Sequence, residues 1–182
     1  MVVGELFVHL KRNMESDLDK IVLILLNKSG DTNKFLREDC NVALDSIIEN
    51  VSFVKSVAVI TQPEIVGHKN PVVRAAVSRL LAYVVDRMGI VKALSGTKDI
   101  TEKLIPSIAK LAQDGNPDAR NYAKFTLQRM MGEQPEELER MLKKHLNSNT
   151  LRNLEKMLDA LRDPSGRGGR ASGRRGNSRM TL

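Results

Sequence analysis

The motif Asn-x-x-x-Arg occurs three times in this chain, at Asn33–Arg37, Asn70–Arg74 and Asn116–Arg120. Each copy stands between two apolar stretches of helical period, and the copies are spaced 37 and 46 residues apart. The surrounding text is alike: GDTNKFLRED at 30–39, GHKNPVVRAA at 67–76 and QDGNPDARNY at 113–122. Apolar residues recur at fixed offsets behind the arginine, with Cys40, Val77 and Ala123 three residues on and Leu44, Leu81 and Leu127 seven on. Self-similarity at this period belongs to two-helix repeats, in which one hairpin cannot bury its apolar side alone and must stack on the next. The fold class expected is therefore all-α, an α-solenoid of HEAT-like helical hairpins.

The local signals fill in that frame. Val2, Val3, Leu6, Phe7 and Leu10 share one side of a helix over 2–10, and Ser16 offers an N-cap with Asp19 three residues later. Leu18, Ile21, Val22, Leu25 and Leu26 match the amphipathic helix template, and Ser29-Gly30-Asp31 ends it. Asn33 caps the partner helix, whose inner side is Leu36, Cys40, Ala43, Leu44, Ile47 and Ile48, running to about Val51. A shorter helix, 53–61, carries Val54, Val57, Ala58 and Ile60 before Pro63 disrupts it and a turn at 64–66 follows. Asn70-Pro71 starts the next helix, because Asn accepts from the free N–H groups and Pro needs no donor at the first helical position. That helix continues through Leu80, Leu81, Val84 and Val85 to Met88, with Gly89 as its stop.

Residues 90–99 read as a loop or short irregular turn. A third unit pairs a helix over 100–113, with Leu104, Ile105, Ile108, Leu111 and Ala112 inward, with one capped by Asn116-Pro117 and running to about Met131. Two more amphipathic helices are expected at 136–146 (Leu138, Met141, Leu142, His145) and 151–161 (Leu154, Met157, Leu158, Leu161). Residues 1–162 thus form one helical domain. Residues 163–182 hold five Gly and five Arg with almost nothing apolar, so they are expected to be a disordered Arg/Gly-rich tail.

Composition agrees with helix-on-helix packing. Aromatics are 3% with no Trp, so the core must be built from Leu, Ile, Val, Ala and Met. The net charge of +7 is uneven: Arg167, Arg170, Arg174, Arg175 and Arg179 against Asp163 give the tail +4, leaving +3 for the other 162 residues. The single cysteine, Cys40, excludes an intramolecular disulfide and a cysteine-based zinc site, and its place on an apolar helix side makes it a small core residue. The longest clear apolar run, 21–26, is far short of the roughly 20 residues of a membrane span. The N-terminus has its basic residues after its apolar stretch and lacks a small-residue cleavage site, so no secretory signal is expected. The chain reads as soluble and intracellular.

No catalytic constellation emerges. His9, His68 and His145 fit no metal-ligand spacing, and there is no phosphate loop, nucleophile elbow or carboxylate pair tied to a pocket. No enzyme activity, cofactor or metal is expected. The asparagines have a structural task as caps, worth on the order of 1 kcal/mol each. The arginines either bond neighbouring loops in a rim ladder or contact an acidic partner. Lys34, His68 and Lys69 are not explained by capping; corresponding loops of stacked hairpins align along one edge, which would make a mildly basic stripe.

These residues resemble a TOG domain, a HEAT-repeat module that binds tubulin, and more narrowly the C-terminal TOG domain of the crescerin family, the TOG array regulators of axonemal microtubules. The match is carried by GDTNKFLRED, by ALDSIIENV at 43–51, by NPVVRAA at 70–76 and by RMGIVKALSGTKDITEKLIPSIAKLAQDG at 87–115. The last is the most specific, since generic HEAT repeats do not require its MG, SGT-x-D and AQD elements. Relative to a full TOG domain the chain is N-terminally shortened, with three clear units and a degenerate one. The resemblance implies tubulin or microtubule binding by the loop edge, carried here by Asn33, Lys34, Arg37, Lys69, Asn70, Arg74, Asn116 and Arg120. It also implies a cytoskeletal, ciliary setting. Arg167, Arg170, Arg174, Arg175 and Arg179 would add salt-sensitive attraction to tubulin's acidic tails. A monomer is expected, without membrane or nucleic-acid partners. The competing readings are a general HEAT-type protein scaffold and a polyanion- or RNA-tethering protein acting through the tail.

Overall fold

The computed structural model describes residues 17–162, with side chains through 159, and among these residues it contains ten helices and no strand. They are α1 (Leu18–Lys28), α2 (Lys34–Asn50), α3 (Phe53–Ile60), α4 (Pro63–Val66), α5 (Pro71–Met88), α6 (Ile90–Ala93), α7 (Thr101–Leu111), α8 (Pro117–Glu133), α9 (Pro135–His145) and α10 (Ser148–Arg162). Two layers result from their packing: α1, α3 and α7 follow one another in the first, and α2, α5 and α8 in the second. α5 and α8 form the most extensive helix pair, and α9 and α10 both close against α7 and α8. This is the expected solenoid of helical hairpins.

Among the described residues, the stripes read from the sequence face neighbours except in the short α3. Leu44, Leu80, Leu81, Leu104, Ile105, Ile108, Leu111 and Leu127 are almost completely buried in one continuous core. Each such side chain contributes roughly 2 kcal/mol by leaving water. Cys40 lies in the core, where burial pushes its thiol up and leaves it unreactive. α7 runs through Pro106 without a break, because Leu104, Ile105 and Ile108 around it are buried and offset the lost helical hydrogen bond.

Four local expectations change. α1 begins at Leu18 with Asp17 in the N-cap position, one residue beyond the Ser16 cap read from the sequence. α3 is rotated relative to its apolar pattern: Val54 is 42% exposed while Ser56 is buried beside Val57, Val59 and Ile60. Eight residues give too few repeats for the period to fix the face, so packing on α1 and α5 decides it. The stretch read as a loop after Gly89 opens with α6, whose Ile90 and Ala93 are buried, followed by buried Leu94. His145 is only half-buried. The helix expected over 2–10, the tail and the Leu161 side chain lie outside the described residues.

Gly89 ends α5 and starts α6 at φ +82°, a conformation that L side chains rarely adopt. The buried Ser56 hydroxyl has no hydrogen-bond partner among the described residues. Burying an unpaired hydroxyl is unfavourable, so Ser56→Ala is expected to raise stability by up to about 1 kcal/mol, measured as a higher urea midpoint at unchanged slope.

Candidate functional site

The three loops joining the layers share one construction. Each begins with an acceptor two residues before the asparagine: Asp31 Oδ1 accepts from Asn33 N–H at 3.0 Å, His68 Nδ1 from Asn70 N–H at 3.1 Å, and Asp114 Oδ1 from Asn116 N–H at 2.8 Å. Each asparagine then caps its helix. Asn33 Oδ1 accepts from the Phe35 and Leu36 amides, Asn70 Oδ1 from Val72, and Asn116 Oδ1 from Asp118 and Ala119. The arginine, one turn into the helix, folds back over the loop. Arg37 donates to the carbonyls of Asp31 and Thr32 (both 2.9 Å), Arg74 to those of His68 and Lys69 (2.7 and 3.3 Å), and Arg120 to those of Asp114 and Gly115 (2.6 and 2.8 Å). The working unit is therefore acceptor-x-Asn-x-x-x-Arg, a self-clamped loop.

Two contacts join successive loops. The Asn70 amide donates to Gly30 O at 3.5 Å, and a Cβ at Gly30 would stand 2.5 Å from Asn70 Nδ2, so only glycine allows this approach. Arg74 makes a bidentate bond to Asp114, Nε to Oδ2 at 2.7 Å and Nη2 to Oδ1 at 3.0 Å. Of the three motif arginines, Arg74 bonds the next loop, while Arg37 and Arg120 bond their own. Below the rim, Ser78 Oγ donates to Ala119 O at 2.7 Å and Arg79 grips Asp45 at 2.9 and 3.0 Å. The loops are thus fixed in register along one edge.

The charges respond to this geometry. Burial would push the Asp114 carboxyl up, but the Arg74 hydrogen bonds, the Asn116 N–H and the Arg74 and Arg120 charges bring it below its ordinary value. Asp31 is held low chiefly by the Asn33 N–H. Arg74 is raised by its bond to Asp114. Asp45 is raised, because burial outweighs the attraction of Arg79.

All eight sequence-derived residues thus fall on this edge, in three roles. Asn33, Asn70 and Asn116 cap; Arg37, Arg74 and Arg120 clamp and are partly buried. Lys34 and Lys69 are exposed, Lys34 in a loose 3.5 Å pair with Glu38. The five tail arginines lie outside the described residues. Four further residues join the edge. Lys28 and Lys110, in the last turns of α1 and α7, are exposed beside the loops, with Lys110 Nζ near Gly67. Phe35 and Val72, two residues after the capping asparagines, are 76% and 44% exposed. Their signal in the sequence is an apolar residue off the buried stripe, and for the lysines a cation at corresponding helix ends. Among the described residues there is no group of acidic, His or Cys side chains able to hold a metal. No described helix is long and apolar enough to cross a membrane.

Comparison with known proteins agrees with the repeat construction. Residues 1–155 match the family described as CLASP N terminal. The chain is 35% identical over 160 residues to mouse "TOG array regulator of axonemal microtubules protein 1", covering 88% of this chain and 9% of that protein. It is 40% identical over 55 residues to the human protein of the same name, 30% of this chain and 3% of the relative. It is 23% identical over 128 residues to "Crescerin-like protein che-12" of Caenorhabditis elegans, 70% of this chain and 10% of the relative. The chain therefore spans about a tenth or less of the length of these curated relatives.

Proposed function

The chain belongs to the CLASP N-terminal family, as a TOG-type HEAT-repeat unit related to the crescerins, and from that premise we propose that it is a non-catalytic module binding tubulin or microtubules through its loop edge, in the cytoskeleton of cilia. The observation that carries this reading is the cross-linked row of loops, held in register by Gly30–Asn70 and Arg74–Asp114. A row of rigid loops with protruding cations suits a large acidic protein surface, where complementary charge steers encounter and fixes register. The names of the relatives point to microtubules as that surface.

Within this reading the motif residues divide the work. Lys34 and Lys69, supported by Lys28 and Lys110, meet the acidic partner, and Phe35 and Val72 supply apolar contact. Asn33, Asn70 and Asn116 with Arg37, Arg74 and Arg120 hold the loops in the shape that presents them. Arg167, Arg170, Arg174, Arg175 and Arg179 add a salt-sensitive tether to tubulin's acidic tails.

The decisive experiment is tubulin co-elution and microtubule co-sedimentation with Lys34→Glu/Lys69→Glu. Both side chains are exposed, so melting temperature should stay within a few degrees while affinity falls at least tenfold, most clearly at low salt. Undiminished binding by the folded double variant would falsify the loop-edge reading. Charge reversal of Arg74 is not a clean test, because that side chain also holds two loops together.

A further inference from the structure

The three loops of the edge share one construction but not one acceptor. Asp31 and Asp114 receive the asparagine N–H on a carboxylate in the first and third loops, and His68 receives it on Nδ1 in the second. A carboxylate stays an acceptor until the pH falls below about 4, whereas histidine is the side chain that ordinarily changes charge between about pH 5 and 8. An imidazole nitrogen accepts only while it carries no proton. The 3.1 Å bond from Asn70 N–H to His68 Nδ1 therefore requires the neutral ring with its proton on Nε2. A second proton would set two N–H donors against each other at that distance.

His68 also stands where the edge is tied together. Its carbonyl accepts from Arg74 at 2.7 Å while its ring holds Asn70. Asn70 caps α5 through Val72 N–H and reaches Gly30 O in the first loop, and Arg74 reaches Asp114 in the third. His68 is half-buried, so its ring remains open to solvent on one side. The charged groups on the elements around it are Lys69 in the same loop, Glu64 of α4, Arg74 of α5, Lys110 of α7, Lys28 of α1, and Asp31 and Asp114 in the flanking loops. Asp31 is engaged by Asn33 N–H, and Asp114 by Asn116 N–H and Arg74. Among the described residues no carboxylate pairs with the His68 ring, so no ion pair holds a protonated ring in its present place.

We propose that His68 is a proton-operated latch on the second loop. Neutral, it locks Asn70 and with it the contact to the first loop. Protonated, in mild acid, it releases Asn70 and loosens the loop that carries Lys69. The first and third loops stay closed over the same range, because their acceptors remain carboxylates. The latch itself rests on the loop geometry alone. Only its bearing on a partner, a pH-dependent presentation of Lys69, rests on the loop-edge reading above.

The test is NMR on the full chain at pH 7.5 and 5.5, with no partner present. At pH 7.5 the long-range nitrogen correlations of His68 should show the proton on Nε2. Hydrogen-exchange protection of the Asn70 amide, corrected for the intrinsic rate, should fall at least fivefold at pH 5.5, while Asn33 and Asn116 keep theirs within twofold. A site-resolved readout is used because the chain has two other histidines, His9 and His145. His68→Asp, which gives the second loop the acceptor of its neighbours, should abolish the fall. If that variant fails to fold, the three amides of the native chain decide. A proton on Nδ1 at pH 7.5, an Asn70 amide equally protected at both pH values, an equal fall at all three asparagines, or a fall that persists in folded His68→Asp would each overturn the latch. Tubulin binding enters none of these readouts, so a failure of the latch and a failure of the loop-edge reading are told apart.

Discussion

Asp114→Ala is expected to lower unfolding free energy by about 2–3 kcal/mol, measured by urea denaturation at neutral pH. The side chains of Arg74 and Asp114 are only 19% and 10% exposed, so this pair is not one of the exposed ion pairs worth up to about 1 kcal/mol. Removing the carboxylate strips Arg74 of two charge-assisted bonds and the Asn116 N–H of its acceptor, and leaves a half-buried guanidinium facing no anion. Loops two and three then lose their direct link. Asp45→Asn is the control. There burial already outweighs Arg79, so removing the charge should change stability by less than about 1 kcal/mol.

The two carboxylates also predict opposite dependences on pH. Asp114 has a lowered folded pKa, so its contribution is fully present above the ordinary aspartate value of about 3.9 and is lost as pH falls through the lowered one. Asp45 has a raised folded pKa, so its contribution is present below the ordinary value and is lost as pH rises through the raised one. Asp114→Asn should flatten the acid side of the stability profile, and Asp45→Asn should steepen the net loss toward acid. Identical profiles for both variants would contradict these assignments.

Thr101→Val is the second large effect, expected at about 2 kcal/mol by the same measurement. Thr101 is fully buried, and its hydroxyl both donates to Ala93 O and accepts from Gly96 N–H, each at 3.0 Å. That single oxygen pins the segment between α6 and α7, where Gly96 takes φ +74°. Valine keeps the shape and leaves two backbone groups without this partner, so the cost reads the hydrogen bonds and not a cavity. A loss below about 0.5 kcal/mol would show that the segment is held by Leu94 and Ile100 alone.

This segment shows where the sequence is informative and where it is not. SGT-x-D belongs to the stretch carrying the most specific family likeness, yet the bond of its Gly96 N–H to the hydroxyl of buried Thr101, which also reaches Ala93 O eight residues back, leaves no periodic trace. The same holds at the loop edge. Asn33, Asn70 and Asn116 could be read as caps because capping is local, reaching two or three residues. The arginine bonds run five and six residues backward to carbonyls, and those of Arg74 to Asp114 cross 40 residues, so their role depends on how hairpins stack. Asp31 and Asp114 share an aspartate that His68 replaces in the second copy, so identity-based matching passes over an acceptor task common to all three.

The sequence by itself determined the helical hairpins, their number of clear units and most of the core, because helix period and capping are short-range and recur in every copy. Tertiary structure alone decided which way the short α3 faces, that Gly89 is followed by a further helical turn, and that the motif arginines clamp loops while the lysines stand free of the rim. It alone brought Tyr83, Tyr122 and Phe125 together between α5 and α8. Those outcomes depend on the distance between neighbouring repeats, and only the packed stack sets that distance.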